Sequence, residues 1–202
     1  LPRARAFVEF CEAHQVEQFR GAGQAVLAWA EARVEPAMSE ARIARFRETL
    51  ADLEARGHLL YLPLALGRLA EIELAQNDAE SALSRTEAAR KLAQDGGQFV
   101  LEPFLDRLLG EALLARADAE AGKAEEAFRR SIECARDMGA RPFLLQASLS
   151  LAKLYQSTGR PVDAHAVLAP ALEGFSPTPE MPEIAEAQAL LEAAAEDRAK
   201  LS

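Results

Sequence analysis

The 202-residue sequence predicts an all-α fold, an α-solenoid of antiparallel helix pairs closed by a C-terminal capping helix. Three observations predict it. Alanine, leucine, glutamate and arginine dominate while β-branched residues are scarce, a composition that favours helix over strand. Apolar residues recur at steps of three and four, as in Phe143, Ala147, Leu151, Leu154 and Tyr155, and strand alternation extends over no useful length. The third observation is an internal repeat. A leucine followed by a small residue stands at Leu27-Ala28, Leu69-Ala70, Leu109-Gly110 and Leu151-Ala152, at intervals of 42, 40 and 42 residues. Ala82, Ala124 and Ala164 keep the same beat, at 42 and 40. Such a period marks stacked helix pairs. The small residue lets two helices approach to about 8–10 Å, and the leucine beside it fills the shared core.

The elements follow in order. Helices are expected at 2–14 and 17–33, the second carrying Leu27-Ala28, and then at 36–56, opened by Pro36 and closed by Gly57. The next pair, 60–76 and 78–94, carries Leu69-Ala70 and Ala82, turns at Asn77 and ends at Gly96-Gly97. Pro103 stands near the start of 100–117, and 121–138 ends at Gly139. Pro142 and Pro161 open 142–158 and 161–174, with Gly159 between them. Ser176–Pro182, with three prolines, is a non-helical connector to a last helix at 182–199. These spans make one repeat domain over 1–202, with repeats at about 17–56, 60–94, 100–138 and 142–174 and a cap at 182–199. In the cap, Ile184, Ala187, Leu190, Leu191 and Ala194 form an inward stripe, while Glu186, Glu192, Glu196 and Arg198 face water.

Charge narrows the function classes. Half the residues are hydrophobic and 27% are charged, a globular balance. With 23 Lys and Arg against 32 Asp and Glu the net charge is −9, which disfavours nucleic acid and anionic lipid as partners. No apolar run approaches the roughly 18–20 residues of a membrane helix; Leu59–Gly67 is broken by Pro63 and followed by Arg68. The opening Leu1-Pro2-Arg3 shows neither Met nor a secretory leader, so either a piece of a longer protein or a disordered start ahead of Leu1 is expected, in a cytoplasmic protein. Cys11 and Cys134 are too few for a disulfide framework and read as small buried hydrophobes in a reducing compartment.

Catalytic and metal constellations are poor. His14, His58 and His165 lie on different repeats, with no pairing at ligand spacing, and Asp163 and His165 point to different helix faces. Gly122-Lys123 lacks the following Ser or Thr of a phosphate loop, and Gly21-Ala22-Gly23 lacks a preceding strand, so the latter reads as close helix packing. Glu125-Glu126 with Arg129-Arg130, and Glu87 with Arg90 and Lys91, read as ion pairs on solvated helix faces. No catalytic residue, metal or cofactor is expected in this chain.

The last repeat is the most specific. Leu151-Ala152, Tyr155, Gly159, Ala164, Leu168 and Ala171 resemble the tetratricopeptide pattern in type and offset. The second repeat, with Leu69-Ala70, Asn77, Ala82 and Ala89, is a weaker match. The other two carry about two extra residues near the turn, at Ala117–Gly122 in the later one. Arg42 and Glu73 depart from the pattern, standing where a small and an aromatic residue belong. The whole chain resembles the C-terminal repeat region of bacterial multidomain signalling ATPases. The matching segments include Trp29-Ala30, Leu69-Ala70-Glu71, 107–111, 127–132, 150–155, Leu168-Ala169-Pro170 and 183–191. In that family an adenylate/guanylate cyclase or DNA-binding module and an AAA-type ATPase precede the repeats. The resemblance implies a right-handed superhelix that is not itself an enzyme. It would be an interaction or regulatory module for a protein, a peptide or another domain of its parent. A self-associating structural domain, as a homodimer, or the repeat region of a transcriptional regulator is the alternative.

The same resemblance implies a concave groove lined by the second, fifth, ninth and twelfth positions of each first helix. Those positions are Ala22, Ala25, Trp29 and Ala32; Leu64, Gly67, Glu71 and Leu74; Phe104, Arg107, Glu111 and Leu114; and Gln146, Leu149, Lys153 and Gln156. Trp29 and Phe104 are either anchors for a partner or inter-repeat core, and Arg107 and Lys153 are the strip's cations.

Overall fold

A computed structural model describes residues 2–34, 40–57, 59–179 and 181–201; at 17, 18, 32–34, 40, 42 and 194–201 only the backbone is described. Among the described residues every long element is an α-helix, and the one β-type pairing is an isolated bridge between Thr178 and Met181. The chain forms two units, Leu1–Leu101 and Glu102–Ser202.

The first unit contains α1 (Pro2–Ala13), α2 (Glu17–Val34), α3 (Glu40–Ala55), α4 (Leu62–Ala75) and α5 (Ala79–Asp95), followed by a 3-10 turn at Phe99–Leu101. Consecutive helices pack together, and α2 also packs against α4, one repeat on. The described part of the expected third helix is Glu40–Ala55, and its expected start at Pro36 lies outside the described residues. Ile43, Phe46, Leu50 and Leu53 of α3 meet Leu62, Leu69 and Ile72 of α4 in one core with Ala25 of α2. Each fully buried Leu or Phe contributes about 1.5–3 kcal/mol relative to exposure. The glycines of α2 do what the sequence implied: a Cβ on Gly21 would overlap Leu53, and one on Gly23 would stand 3.0 Å from the Phe7 ring.

Helix ends follow the local chemistry. Asn77 takes φ +62°, the left-handed conformation that asparagine tolerates better than most residues, and the Asp78 N–H then donates to the Glu73 carbonyl at 2.9 Å. Gly159, at φ +74°, closes α8 (Arg141–Ser157) the same way, with the Arg160 N–H on the Tyr155 carbonyl at 2.8 Å. The Asp78 carboxylate accepts from the Ser81 N–H and caps α5.

Glu73 is the first unit's unexpected feature. At the position where the resemblance implies an aromatic residue, this fully buried carboxylate accepts from Arg85 at 2.6 Å and Arg47 at 3.1 Å, both on Oε1. Two guanidiniums from α5 and α3 supply the charge that burial demands.

The second unit contains α6 (Glu102–Ala115), α7 (Ala121–Asp137), α8, α9 (Pro161–Leu172) and α10 (Pro182–Leu201). Here too consecutive helices pair, and first helices stack on first helices, α6 on α8 and α8 on α10. This is the packing expected of an α-solenoid. The repeated small residues explain it: Ala82, Ala124, Ala164, Ala70 and Ala152 are all fully buried, and a Cβ on Gly110 would stand 2.5–2.8 Å from the Phe128 ring. The longer turn between α6 and α7 is held by Arg116, which pairs with Asp118 and Glu120.

Glu125 corrects the expectation of a solvated ion pair. It does pair with Arg129, but it also accepts from the Tyr155 hydroxyl at 2.9 Å and from Arg160 at 2.9 Å, so it ties α7 to α8 and to the start of α9. Partial burial raises its pKa, and the hydrogen bonds from Arg129, Tyr155 and Arg160 outweigh that and hold it below the usual carboxylate range. Beyond α9, Arg141 donates to the Glu173 carbonyl and its guanidinium lies 4.9 Å from the Phe175 ring centre, which fixes the start of the proline-rich connector. In α10, Ile184 and Ala187 are buried, Leu190 and Leu191 half-buried, and Glu186 and Glu192 exposed; Ala194, Glu196 and Arg198 lie outside the described side chains.

Candidate binding cleft

Three elements of the first unit leave an apolar cleft of about 270 Å³ between them. α1 supplies Phe7, α2 supplies Phe19 and Trp29, and α4 with the residue before it supplies Tyr61, Leu64 and Arg68. Small residues on α2 and α4, Ala22, Ala25 and Ala65, make the floor shallow enough for the space to exist. Phe19 meets Tyr61 edge-on with ring centres 6.0 Å apart, an arrangement that suits aromatic quadrupoles.

One wall is fixed by a carboxylate. Glu71 accepts from the Trp29 indole N–H at 2.8 Å and from Arg68 at 2.7 Å, and the Arg68 guanidinium lies 4.1 Å from the Trp29 ring centre. Trp29 and Glu71 are 42 residues apart, so this bond joins equivalent helices of successive repeats. The indole and the guanidinium are thus oriented by the same side chain. Among the described residues no carboxylate, imidazole or thiol lines the cleft. Its chemistry is that of holding apolar surface, with a cation at one side.

A second cavity of about 330 Å³ in this unit is more polar, bordered by Glu12, Glu31 and Arg45 around Val8 and Phe46.

The expected groove positions divide between the units. In the first, Ala22, Ala25, Trp29 and Leu64 meet in the cleft, and Glu71 sits at its edge; the Ala32 side chain lies outside those described. In the second unit the strip faces other parts of the same unit. Phe104 is 1% exposed and packs at 6.4 Å from Phe143, so of the two alternatives left open for it the structure selects core. Arg107 is only 9% exposed and donates to Glu111 at 2.7 Å, while Glu111 also accepts from the Ser150 hydroxyl at 2.8 Å. Leu149 is buried. Lys153 pairs with Glu186 at 2.6 Å, Gln146 reaches Glu183, and Gln156 reaches the Leu190 carbonyl, so α10 lies along this face of α8.

Phe7, Phe19, Tyr61 and Arg68 were missed by the positional rule. Phe7 precedes the first repeat, Phe19 and Tyr61 stand outside the four groove positions, and Arg68 immediately precedes the Leu69-Ala70 pair. The chance to find them lay in composition: three of the chain's twelve aromatic residues, Phe7, Phe19 and Tyr61, gather around Trp29 in the cleft.

The remaining candidates stay apart. His14 is exposed, with its ring 4.3 Å from that of Phe10, His165 is half-buried, and His58 lies outside the described residues. Among the described residues no group of three His, Cys, Asp or Glu side chains is placed to hold a metal ion. Cys11 is buried as expected, whereas Cys134 is half-buried with its thiol 3.6 Å from Glu102. No described helix is long and apolar enough to cross a membrane. No protein-family model matches this sequence, and no curated protein matches it.

Proposed function

We propose that the chain is a tetratricopeptide-like recognition module, not an enzyme in itself, which engages a partner through the apolar cleft of its first unit. The partner is a protein, a peptide or another domain of a larger cytoplasmic protein of the bacterial signalling ATPase type, where a nucleotide cyclase or ATPase domain supplies the chemistry. The right-handed superhelix of the tetratricopeptide class belongs to this proposal. The observation that carries it is the cleft itself: four aromatic rings and Leu64 gathered around open space, with Trp29 held in place by Glu71. Concave apolar sites with a few placed polar groups are where proteins hold ligands, and aromatic anchors dominate interface energies. The stacking of α2 on α4, α6 on α8 and α8 on α10 supports the repeat assignment.

Panning a random-peptide display library tests it. Peptides sharing an apolar or aromatic anchor should enrich on the wild-type chain and be lost on Ala22→Phe, which fills the cleft. A library that enriches equally on both proteins refutes the assignment. Self-association is the second reading, favoured by the exposure of Phe7 (44%) and Phe10 (55%) on α1. A concentration-dependent mass measurement decides between them, since that reading requires a stable dimer.

A further inference from the structure

The face of α8 that α10 covers is polar, unlike the strip it matches on α6. Gln146 donates to Glu183 at 3.2 Å, Lys153 pairs with Glu186 at 2.6 Å, and Gln156 reaches the Leu190 carbonyl at 3.5 Å. Ile184 and Ala187 are the buried apolar anchors of the arriving helix, which also packs on α9. On α6 the corresponding strip is core around Phe104, 1% exposed. A strip of amide and ammonium groups is hydrated when its cover leaves, whereas a bared Phe104 would carry the full cost of apolar exposure. The connector lets α10 leave by itself. The interval from α9 to α10, 173–181, is nine residues long, whereas 116–120, 138–140 and 158–160 join the unit's other helices. Its near end is fastened independently of α10, because Arg141 of α8 donates to the Glu173 carbonyl and lies against the Phe175 ring. Beyond that point Ser176, Thr178 and Met181 each precede a proline, which favours extended backbone. The connector turns back at the bond from the Met181 N–H to the Thr178 carbonyl, 3.1 Å. Opened to about 3.1 Å per residue it would span about 28 Å, nearly the length of the 20-residue α10 at about 1.5 Å per residue.

We propose that α10 exchanges between two copies of this chain, the α10 of each copy seating on α8 and α9 of the other. A second copy is the occupant that this seat identifies, because its α10 carries the same Glu183, Ile184, Glu186 and Ala187 and remakes each bond of the closed form. Exchange therefore leaves the contacts at the seat unchanged. Its balance is set by chain concentration, against the effective concentration in the millimolar range that a short connector gives α10 on its own chain. The first-unit cleft takes no part.

Two surface substitutions test the exchange. Lys153→Glu and Glu186→Lys each set like charges against each other within one chain, and each still does so when that variant pairs with itself. In an exchanged dimer of the two variants, both seats hold opposite charges. The full chains of the two variants, one isotopically labelled, are mixed at up to about 1 mM, the scale of the competing effective concentration. They are warmed to just below their melting temperature, cooled, and followed by sedimentation equilibrium and native mass spectrometry. The mixture should form a labelled–unlabelled dimer with a Kd about tenfold below that of the wild type, the scale of two surface pairs changed from repulsion to attraction. Each variant alone should dimerise no more tightly than the wild type. Both positions are about half-exposed, so circular dichroism should show unchanged helicity. Ile184→Asp in both chains should abolish the mixed dimer, and Phe10→Glu, on the exposed surface of α1, should leave it intact. A mixture that dimerises no better than the separate variants overturns the exchange. So does a mixed dimer that survives Ile184→Asp or is lost in Phe10→Glu, since either would place the contact on another surface.

Discussion

Gly110 gives the sharpest test of the idea that the repeated small residues set how closely the helices pack. In the interior of a helix, glycine is worse than alanine by about 1 kcal/mol, so on propensity alone Gly110→Ala should stabilise. The structure reverses that expectation. The added methyl would lie 2.5–2.8 Å from three atoms of the Phe128 ring, and Phe128 is completely buried in α7 with no solvent side to retreat to. Overpacking a core costs about 1–3 kcal/mol, and contact with three atoms of an enclosed ring belongs in the upper part of that range. After the propensity gain, a net loss of about 1–2 kcal/mol is expected. Gly122 is the internal control. It lies in the first turn of α7, and a Cβ there would meet nothing within 4 Å, so Gly122→Ala should stabilise by up to about 1 kcal/mol. Phe128→Leu should relieve the clash, making the double variant with Gly110→Ala less destabilised than the sum of the single changes by about 1 kcal/mol or more. Urea unfolding followed by circular dichroism measures all four, because Trp29 fluorescence reports the first unit and not this one. A Gly110→Ala chain as stable as Gly122→Ala would show that α6 and α7 have slack, and the account of the small residues would fall.

Two further outcomes follow from the second unit. Deleting the chain from Pro182 removes Ile184 and Ala187 from the core and strips the partners of Gln146, Lys153 and Gln156, so the melting temperature should drop by several degrees, as about 2–4 °C per kcal/mol applies at this size; an unchanged value would show that α10 is dispensable. The Cys134 thiol is pushed up to about 11 by burial and by its hydrogen bond to Glu102, so it should resist a disulfide reagent at pH 8 in the folded chain, react freely in urea, and contribute stability that is present below about pH 9 and lost as pH rises toward 11, a loss absent in Cys134→Ser. Rapid labelling of the folded protein would contradict that environment.

The elements were legible because their signals are local. A proline in the first turn, a residue that tolerates positive φ after the last, and apolar steps of three and four need only a few neighbours to be read, and Pro161, Asn77 and Gly159 do what their positions implied. The alanines of the second helices were legible for a different reason: a residue that must be small in every repeat leaves a period, and Ala82, Ala124 and Ala164 are completely buried. The polar interior was not. Glu73 depends on Arg85 and Arg47, at 12 and 26 residues' remove, and Glu125 on Tyr155 and Arg160, at 30 and 35. No periodicity announces such a pairing, because a charged residue on a helix is read as exposed until its partner is known.

The groove rule was limited by the same locality. It names the positions of one helix that face a common side, but whether that side stays open depends on what arrives from elsewhere in the chain. On α8 the arrival is α10, which engages Gln146, Lys153 and Gln156, and on α6 it is the rest of the unit's core around Phe104. On α2 the arrivals are Phe7 and Tyr61, which border the strip without filling it. A rule that treats all repeats alike therefore points to four equivalent faces, whereas the physical difference between them is the volume left after neighbouring side chains are placed. That volume persists beside Trp29 because α2 and α4 carry alanines at 22, 25 and 65, where larger residues would have closed it.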